Sequence, residues 1–186
     1  MAGERPEFEA PLVVGAQIEV RAEHASLADR PFLLHGDRTW TFKQYRDESV
    51  RMAHFLLGRL GTINDRRPGH VGVFLENHLE LLALYGGCGY AGLTLFGLNT
   101  GLRGDVLAGV INESEARVLV VEERLYPELE RVLSRLEHVP DENVLVLKTG
   151  DGEIPASRDL RTCLEGEVGP TGTSLPPPDV EVAPES

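Results

Sequence analysis

The sequence predicts an α/β fold: a mostly parallel sheet flanked by helices, with a short N-terminal β-hairpin. Two observations lead there. Runs rich in Val and Leu (Val71–Leu75, Leu93–Phe96, Arg117–Val121 and Val144–Leu147) suit strands covered on both faces, and the stretches between them carry apolar residues at helical spacing. Strand and helix alternate in regular order, which favours right-handed crossovers between parallel neighbours. Size agrees with this: 186 residues, 41% of them hydrophobic, bury one domain-sized core.

In chain order, residues 1–31 read as a lead-in with one short helix over Ile18–Ala28. Phe32–Leu34 and Thr39–Thr41 flank His35-Gly36-Asp37-Arg38, a hairpin signal. Thr41 with Gln44 three residues on forms a capping box. The helix it opens places Tyr45, Met52, Ala53, Leu56, Leu57 and Leu60 on one stripe, with Arg46, Asp47, Arg51 and Arg59 largely elsewhere, and ends near Gly61. Arg66-Arg67-Pro68-Gly69 is a turn before the first parallel strand, and Asn77 with Glu80 repeats the capping pattern for a helix over His78–Tyr90.

Leu81–Leu98 holds eighteen residues without a charge, just the length of a membrane span. Gly86, Gly87, Gly89, Gly92 and Gly97 weigh against one continuous helix, each lowering helix stability by about 1 kcal/mol relative to Ala. The run therefore reads as a buried helix, a turn at Ala91-Gly92 and a strand, its glycines permitting close approach of helix to sheet. A helix over Arg103–Asn112 is expected to turn Val106, Leu107, Val110 and Ile111 inward. Another, over Glu123–Glu137, carries Leu125, Leu129, Val132, Leu133 and Leu136. Residues 32–148 thus form the α/β domain, and residues 149–186, rich in Pro, Gly and acid, read as an irregular linker.

Thirty acidic against eighteen basic residues give a net charge of −12, which repels nucleic acid and anionic membrane surfaces. Lysine occurs only at Lys43 and Lys148. Cys88 and Cys163 lack metal-ligand spacing and read as free buried thiols of a reducing compartment. The histidines (His24, His35, His54, His70, His78, His138) form no pair at ligand spacing, so no metal site is expected. The opening residues MAGERPEFEA carry no secretory pattern, and a cytoplasmic location is the expectation.

Two stretches carry a family resemblance. Thr39-Trp40-Thr41-Phe42-Lys43-Gln44-Tyr45 resembles the first core motif of adenylate-forming enzymes, and Tyr90–Asn99 is similar to their second. Leu98-Asn99-Thr100-Gly101-Leu102-Arg103-Gly104, then Leu107 and Ser114-Glu115-Ala116-Arg117, resembles the pattern of the branch containing fatty acid transport proteins and very-long-chain acyl-CoA synthetases, with Gly101 in place of Asn. The resemblance implies the incomplete N-terminal subdomain of an ATP-dependent acyl-CoA ligase that acts on a fatty or other apolar acid, uses ATP, Mg²⁺ and CoA, and has no transmembrane span. The family's phosphate loop with its lysine, its acidic metal ligand and its C-terminal lysine have no counterpart here, so the chain alone is expected to be inactive. A non-catalytic binding or interaction module on the same scaffold is the alternative, and exposed apolar surface on such a fragment favours self-association.

Candidate site residues are few. Arg103 stands where some members set a basic residue against the phosphates of CoA; a solvated first-turn arginine is the competing reading. Asn99 suits a backbone-bonding role in its loop. Gly169-Pro170-Thr171-Gly172-Thr173-Ser174 has the residue types of a phosphate loop, but no lysine follows and no apolar strand leads in, so it reads as linker.

Overall fold

A computed structural model describes residues 13–60, 69–180 and 182. The expected turn at residues 66–69 falls almost wholly outside them, as do the first twelve residues of the lead-in. Helix α1 (Val14–Glu23) starts and ends earlier than the Ile18–Ala28 expectation. The hairpin follows, with β1 (Pro31–His35) antiparallel to β2 (Arg38–Thr41), and then helix α2 (Phe42–Leu60). Its capping box is formed: Gln44 N donates to Thr41 Oγ1 at 3.2 Å and Thr41 N to Gln44 Oε1 at 2.9 Å.

Strands β3 (His70–Phe74), β4 (Thr94–Gly97), β5 (Val118–Glu122) and β6 (Val144–Leu147) form one parallel sheet in the order β4-β3-β5-β6. The α/β class, the parallel sheet and the hairpin are as the sequence predicts. All five residues of β5 are buried, as a strand covered on both faces requires. On one face, α2, α3 (Leu79–Ala91) and α6 (Leu160–Val168) enclose a cluster around Phe55, Leu56, Leu84, Val120 and Leu145. On the other, α4 (Gly104–Glu113) and α5 (Tyr126–Glu130) enclose Phe74, Leu107, Ile111, Leu119 and Leu129.

The uncharged run divides as expected. Helix α3 ends at Gly92, whose φ of 65° is the left-handed conformation that glycine adopts without strain, and Leu93 N bonds back to Cys88 O at 2.9 Å. No described helix is long and apolar enough to cross a membrane. Gly86, Gly87 and Gly89 serve a contact different from the expected one, since they let helix meet helix and not helix meet sheet. A Cβ on Gly87 would lie 2.9 Å from Met52 Cβ of α2, and one on Gly89 would lie 2.9 Å from Val14 Cβ of α1.

Several expectations are corrected. Asn77 and Glu80 form no capping box: the N-cap of α3 is His78, without a side-chain cap bond, and Glu80 is drawn away to two arginines. In α4, Leu107, Ala108 and Ile111 are buried while Val106 and Val110 face solvent, a stripe rotated from the expected one. The single helix over Glu123–Glu137 is a 3-10 turn, a short α5 with Pro127 at its start and a second 3-10 turn, which still buries Leu125, Leu129 and Val132.

The largest departures lie in α2 and the segment after Thr149. Asp47, Glu48 and Arg51 of α2 are buried, Arg51 to 1% exposure, although a charged residue was expected on the outer face. The segment expected to be irregular contains α6, capped by Asp159, whose Oδ1 accepts from Thr162 N at 2.7 Å. Leu160, Cys163 and Leu164 of α6 enter the core.

One cause joins the two departures. Residues 169–176 run across α2 as a strap, and α2 holds them with polar groups. Arg51 donates to Gly169 O and pairs with Glu48; Glu48 Oε1 accepts from Gly172 N at 3.0 Å. Asp47 Oδ1 accepts from Ser174 Oγ at 3.2 Å, and Arg46 Nη1 donates to Leu175 O at 2.7 Å. The strap has few apolar side chains to anchor it, so buried charges satisfy its backbone.

Candidate functional site

In an open parallel sheet, ligands bind outside the carboxyl ends of the strands, where successive connections leave in opposite directions. Here β3 connects through α3 to β4 on one side, and the chain then returns past β3 to β5 on the other. The loops after β3, β4, β5 and β6 therefore gather at one edge.

The loop after β4 is built from its own backbone. Leu98 N continues the ladder to Val73 O at 2.8 Å, Asn99 Oδ1 accepts from Gly101 N at 2.8 Å, and Leu102 N returns to Asn99 O at 3.0 Å. Asn99 thus has the local backbone role expected of it. Arg103 is the N-cap of α4; its Nη1 donates to Thr100 O and Leu102 O, both at 2.7 Å, and its Nε lies 3.7 Å from Glu128 Oε2. The side chain is half exposed at this edge, on the α4–α5 side of the sheet.

At the reversal point itself sits Glu122, the last residue of β5 and nearly buried. It accepts from Glu76 N at 3.1 Å and from Arg124 Nε at 2.6 Å, and His78 Nε2 lies 3.3 Å from its Oε2. Burial raises the Glu122 pKa, but the Glu76 amide, Arg124 and His78 outweigh it and hold the carboxyl below the usual range. Next to it, Glu123 closes the loop after β6, accepting from Thr149 N at 2.8 Å and from Gly150 N and Gly152 N at 2.6 Å; these bonds, that from Gly150 foremost, also depress its pKa.

On the α3–α6 side, a cleft of about 460 Å³ opens between the hairpin, the start of α3, the loop after β6 and the start of α6. Two of its lining side chains, Arg38 and Arg161, donate to Glu80, 7% exposed, at 2.9 Å and 2.7 Å, so hairpin, α3 and α6 are joined through one carboxylate. Burial raises the Glu80 pKa; the Arg161 and Arg38 guanidiniums more than reverse that.

The remaining expected candidates lie elsewhere. The Gly169–Ser174 run is the strap on α2: Gly172 N is engaged by Glu48 and Thr173 N by Pro170 O at 3.1 Å. Both thiols are buried and free, with burial pushing Cys88 up to about 12 and Cys163 upward, so neither supplies thiolate at neutral pH. Among the described residues no group of three His, Cys, Asp or Glu is placed to hold a metal ion. Sequence reasoning passed over Glu80, Glu122, Arg38 and Arg161, because only the fold brings them together; the one available signal was the scarcity of lysine, which made Lys148 unusual.

Comparison with known proteins bears on the family and the fold. In a curated set, the chain is 28% identical over 144 residues to a medium/long-chain-fatty-acid–CoA/3-oxocholest-4-en-26-oate–CoA ligase of Mycobacterium tuberculosis, covering 76% of this chain and 25% of the relative. The chain thus spans about a quarter of the length of the curated relatives it matches. Solved structures sharing the fold include the anthranilate CoA ligase AuaEII in complex with anthranoyl-AMP, with TM-score 0.69 and 21% identity over 91% of this chain and 31% of that one. A long-chain-fatty-acid-CoA ligase (FadD1) from Archaeoglobus fulgidus gives TM-score 0.66 and 19% identity over 91% of this chain and 33% of that one. A family model described as AMP-binding enzyme matches residues 18–184, and the chain belongs to that family.

Proposed function

We propose that this chain is the N-terminal part of an ATP-dependent ligase that activates a fatty or other apolar carboxylic acid as an acyl-adenylate and passes it to CoA. The observation that carries this reading is the family match over residues 18–184, joined to a relative that is a fatty-acid–CoA ligase. The Leu98–Gly104 loop supports placing it in the branch of fatty acid transport proteins and very-long-chain acyl-CoA synthetases.

The described residues do not fit a triphosphate and its metal ion. In the Gly/Thr/Ser run the Gly172 and Thr173 amides are committed to Glu48 and Pro170, and among the described residues no group of three His, Cys, Asp or Glu is arranged for a cation. The chain's share of the reaction is then a scaffold: it fixes the sheet edge, holds the loop after β4 with Asn99, and presents Arg103 to a phosphate of CoA.

The test is a pair of assays. The 186-residue protein, given ATP, Mg²⁺, CoA and fatty acids of medium and long chain, should form no acyl-CoA. A longer chain read from the same frame, with a Ser/Thr/Gly-rich loop and lysine beyond Ser186, should form it, and Arg103→Glu in that chain should raise KM for CoA while leaving adenylate formation intact. Turnover by the 186-residue protein would sink the scaffold reading, and an inactive longer chain would sink the ligase reading.

A further inference from the structure

The cleft on the α3–α6 side runs against the charge of the molecule. In a chain of net charge −12, Arg38, Arg161 and Lys148, one of only two lysines, meet there with His35 and His78. The one carboxylate in the lining is Asp159, which is turned to the first turn of α6, where it accepts from Thr162 N at 2.7 Å; Glu80 is engaged by both arginines, and Glu123, beside Lys148, by the amides of Thr149, Gly150 and Gly152. Positive side chains therefore outnumber negative ones in the lining.

The cations are also available. Arg38 and Arg161 share a single oxygen, Glu80 Oε1, and their side chains remain 47% and 46% exposed. Among the described residues the Lys148 ammonium makes no hydrogen bond, its electrostatic neighbour being the Glu123 carboxylate, which is itself bonded to three backbone amides; its backbone carbonyl is engaged by Arg161 Nη1 at 3.0 Å. The N-terminus of α3, thirteen residues long, reaches the cleft at His78 without a side-chain cap, so the positive end of that helix adds to the field.

We propose that this cleft binds a phosphate group, with Lys148, Arg161 and Arg38 approaching it from three elements. Three separate donors suit a tetrahedral oxyanion, which offers oxygens in several directions, better than a planar carboxylate that one guanidinium satisfies alone. The site is distinct from Arg103, which lies with the α4–α5 layer on the opposite face of the sheet, and it does not rest on the ligase reading.

Calorimetric titration of the 186-residue protein at low ionic strength tests it, with orthophosphate, pyrophosphate and glycerol phosphate as separate probes. Saturable binding at one site is expected for at least one of the three, and the order of affinity tells free phosphate, diphosphate and phosphate monoester apart. Lys148→Ala, which removes no side-chain hydrogen bond among the described residues, should weaken that binding about tenfold with a nearly unchanged melting curve, the loss of roughly one charge-assisted hydrogen bond. Arg131→Ala, an exposed arginine of the α5 side paired with Glu128, should bind as the parent does. Absence of saturable binding with all three probes below about 10 mM, affinity unaffected by Lys148→Ala, or affinity lost in Arg131→Ala would each overturn the assignment.

Discussion

On one face of the sheet, α2 and α3 bury Asp47, Glu48, Arg51 and Glu80 among aliphatic side chains; on the other, α4 and α5 bury Leu107, Ala108, Ile111 and Leu129 and no charged residue. The difference follows from what each face must hold. Helices α4 and α5 bring apolar stripes, and burial of each leucine contributes about 2 kcal/mol. The strap over α2 brings mainly Gly, Pro, Thr and Ser, so its path is fixed by hydrogen bonds from ionised groups. Fixing a path with buried charge is conditional, because each group is tolerable only while its partner remains.

The sharpest way to break the comparison is therefore to remove one partner. Arg51→Met should cost about 3–5 kcal/mol, since Glu48 is left buried without its guanidinium and Gly169 O without a donor. Arg51→Met combined with Glu48→Leu should recover a large part of that loss. Urea denaturation of the three variants checks this, and equal stability of the single and double variants would show that the pair does not act as a pair.

A smaller effect probes how closely the helices of the charged face approach. Gly86→Ala should cost about 1–3 kcal/mol, because the added Cβ would stand 2.7 Å from Ser49 Cβ and 3.0 Å from the Tyr45 hydroxyl. Gly58→Ala is the contrast: nothing lies within 4 Å of its Cβ position, and a gain of up to about 1 kcal/mol in helix propensity is expected. Thermal melts of the two variants should move in opposite directions; movement of both the same way would count against helix contact as the reason for Gly86.

This asymmetry also explains what was legible in the sequence. Hydrophobic period and turn chemistry are local signals, and they located the hairpin, all four parallel strands and the capping box at Thr41. The loop at Asn99 was readable for the same reason, since its bonds span two or three residues. Arg51 was misread because its acceptors include Gly169 O, 118 residues away, and a stripe drawn from apolar residues alone assigns every arginine to solvent. The α6 helix was missed because its anchors are few, Leu160, Cys163 and Leu164, within a segment dominated by Pro, Gly and acid. Likewise the cleft cations come from a hairpin, a strand end and α6, and no spacing in the chain announces them.

Acid supplies the mildest probe, and it should distinguish the faces without altering any packing. The folded-state pKa of Glu80 lies below its ordinary value of about 4.3, so its contribution is complete above that pH and is lost as pH falls through the folded value. Glu80→Gln should thus be less stable than the parent at pH 7, with Arg38 and Arg161 left without their carboxylate, and the gap should close as both proteins are taken to acid. A change confined to the aliphatic face, such as Leu107→Ala, should instead keep a nearly constant deficit across the same range, because no group that titrates there is removed. Urea midpoints measured from neutral to acid pH compare the two; a Glu80→Gln deficit that stays constant with pH would mean that the carboxylate holds its arginines by shape and not by charge.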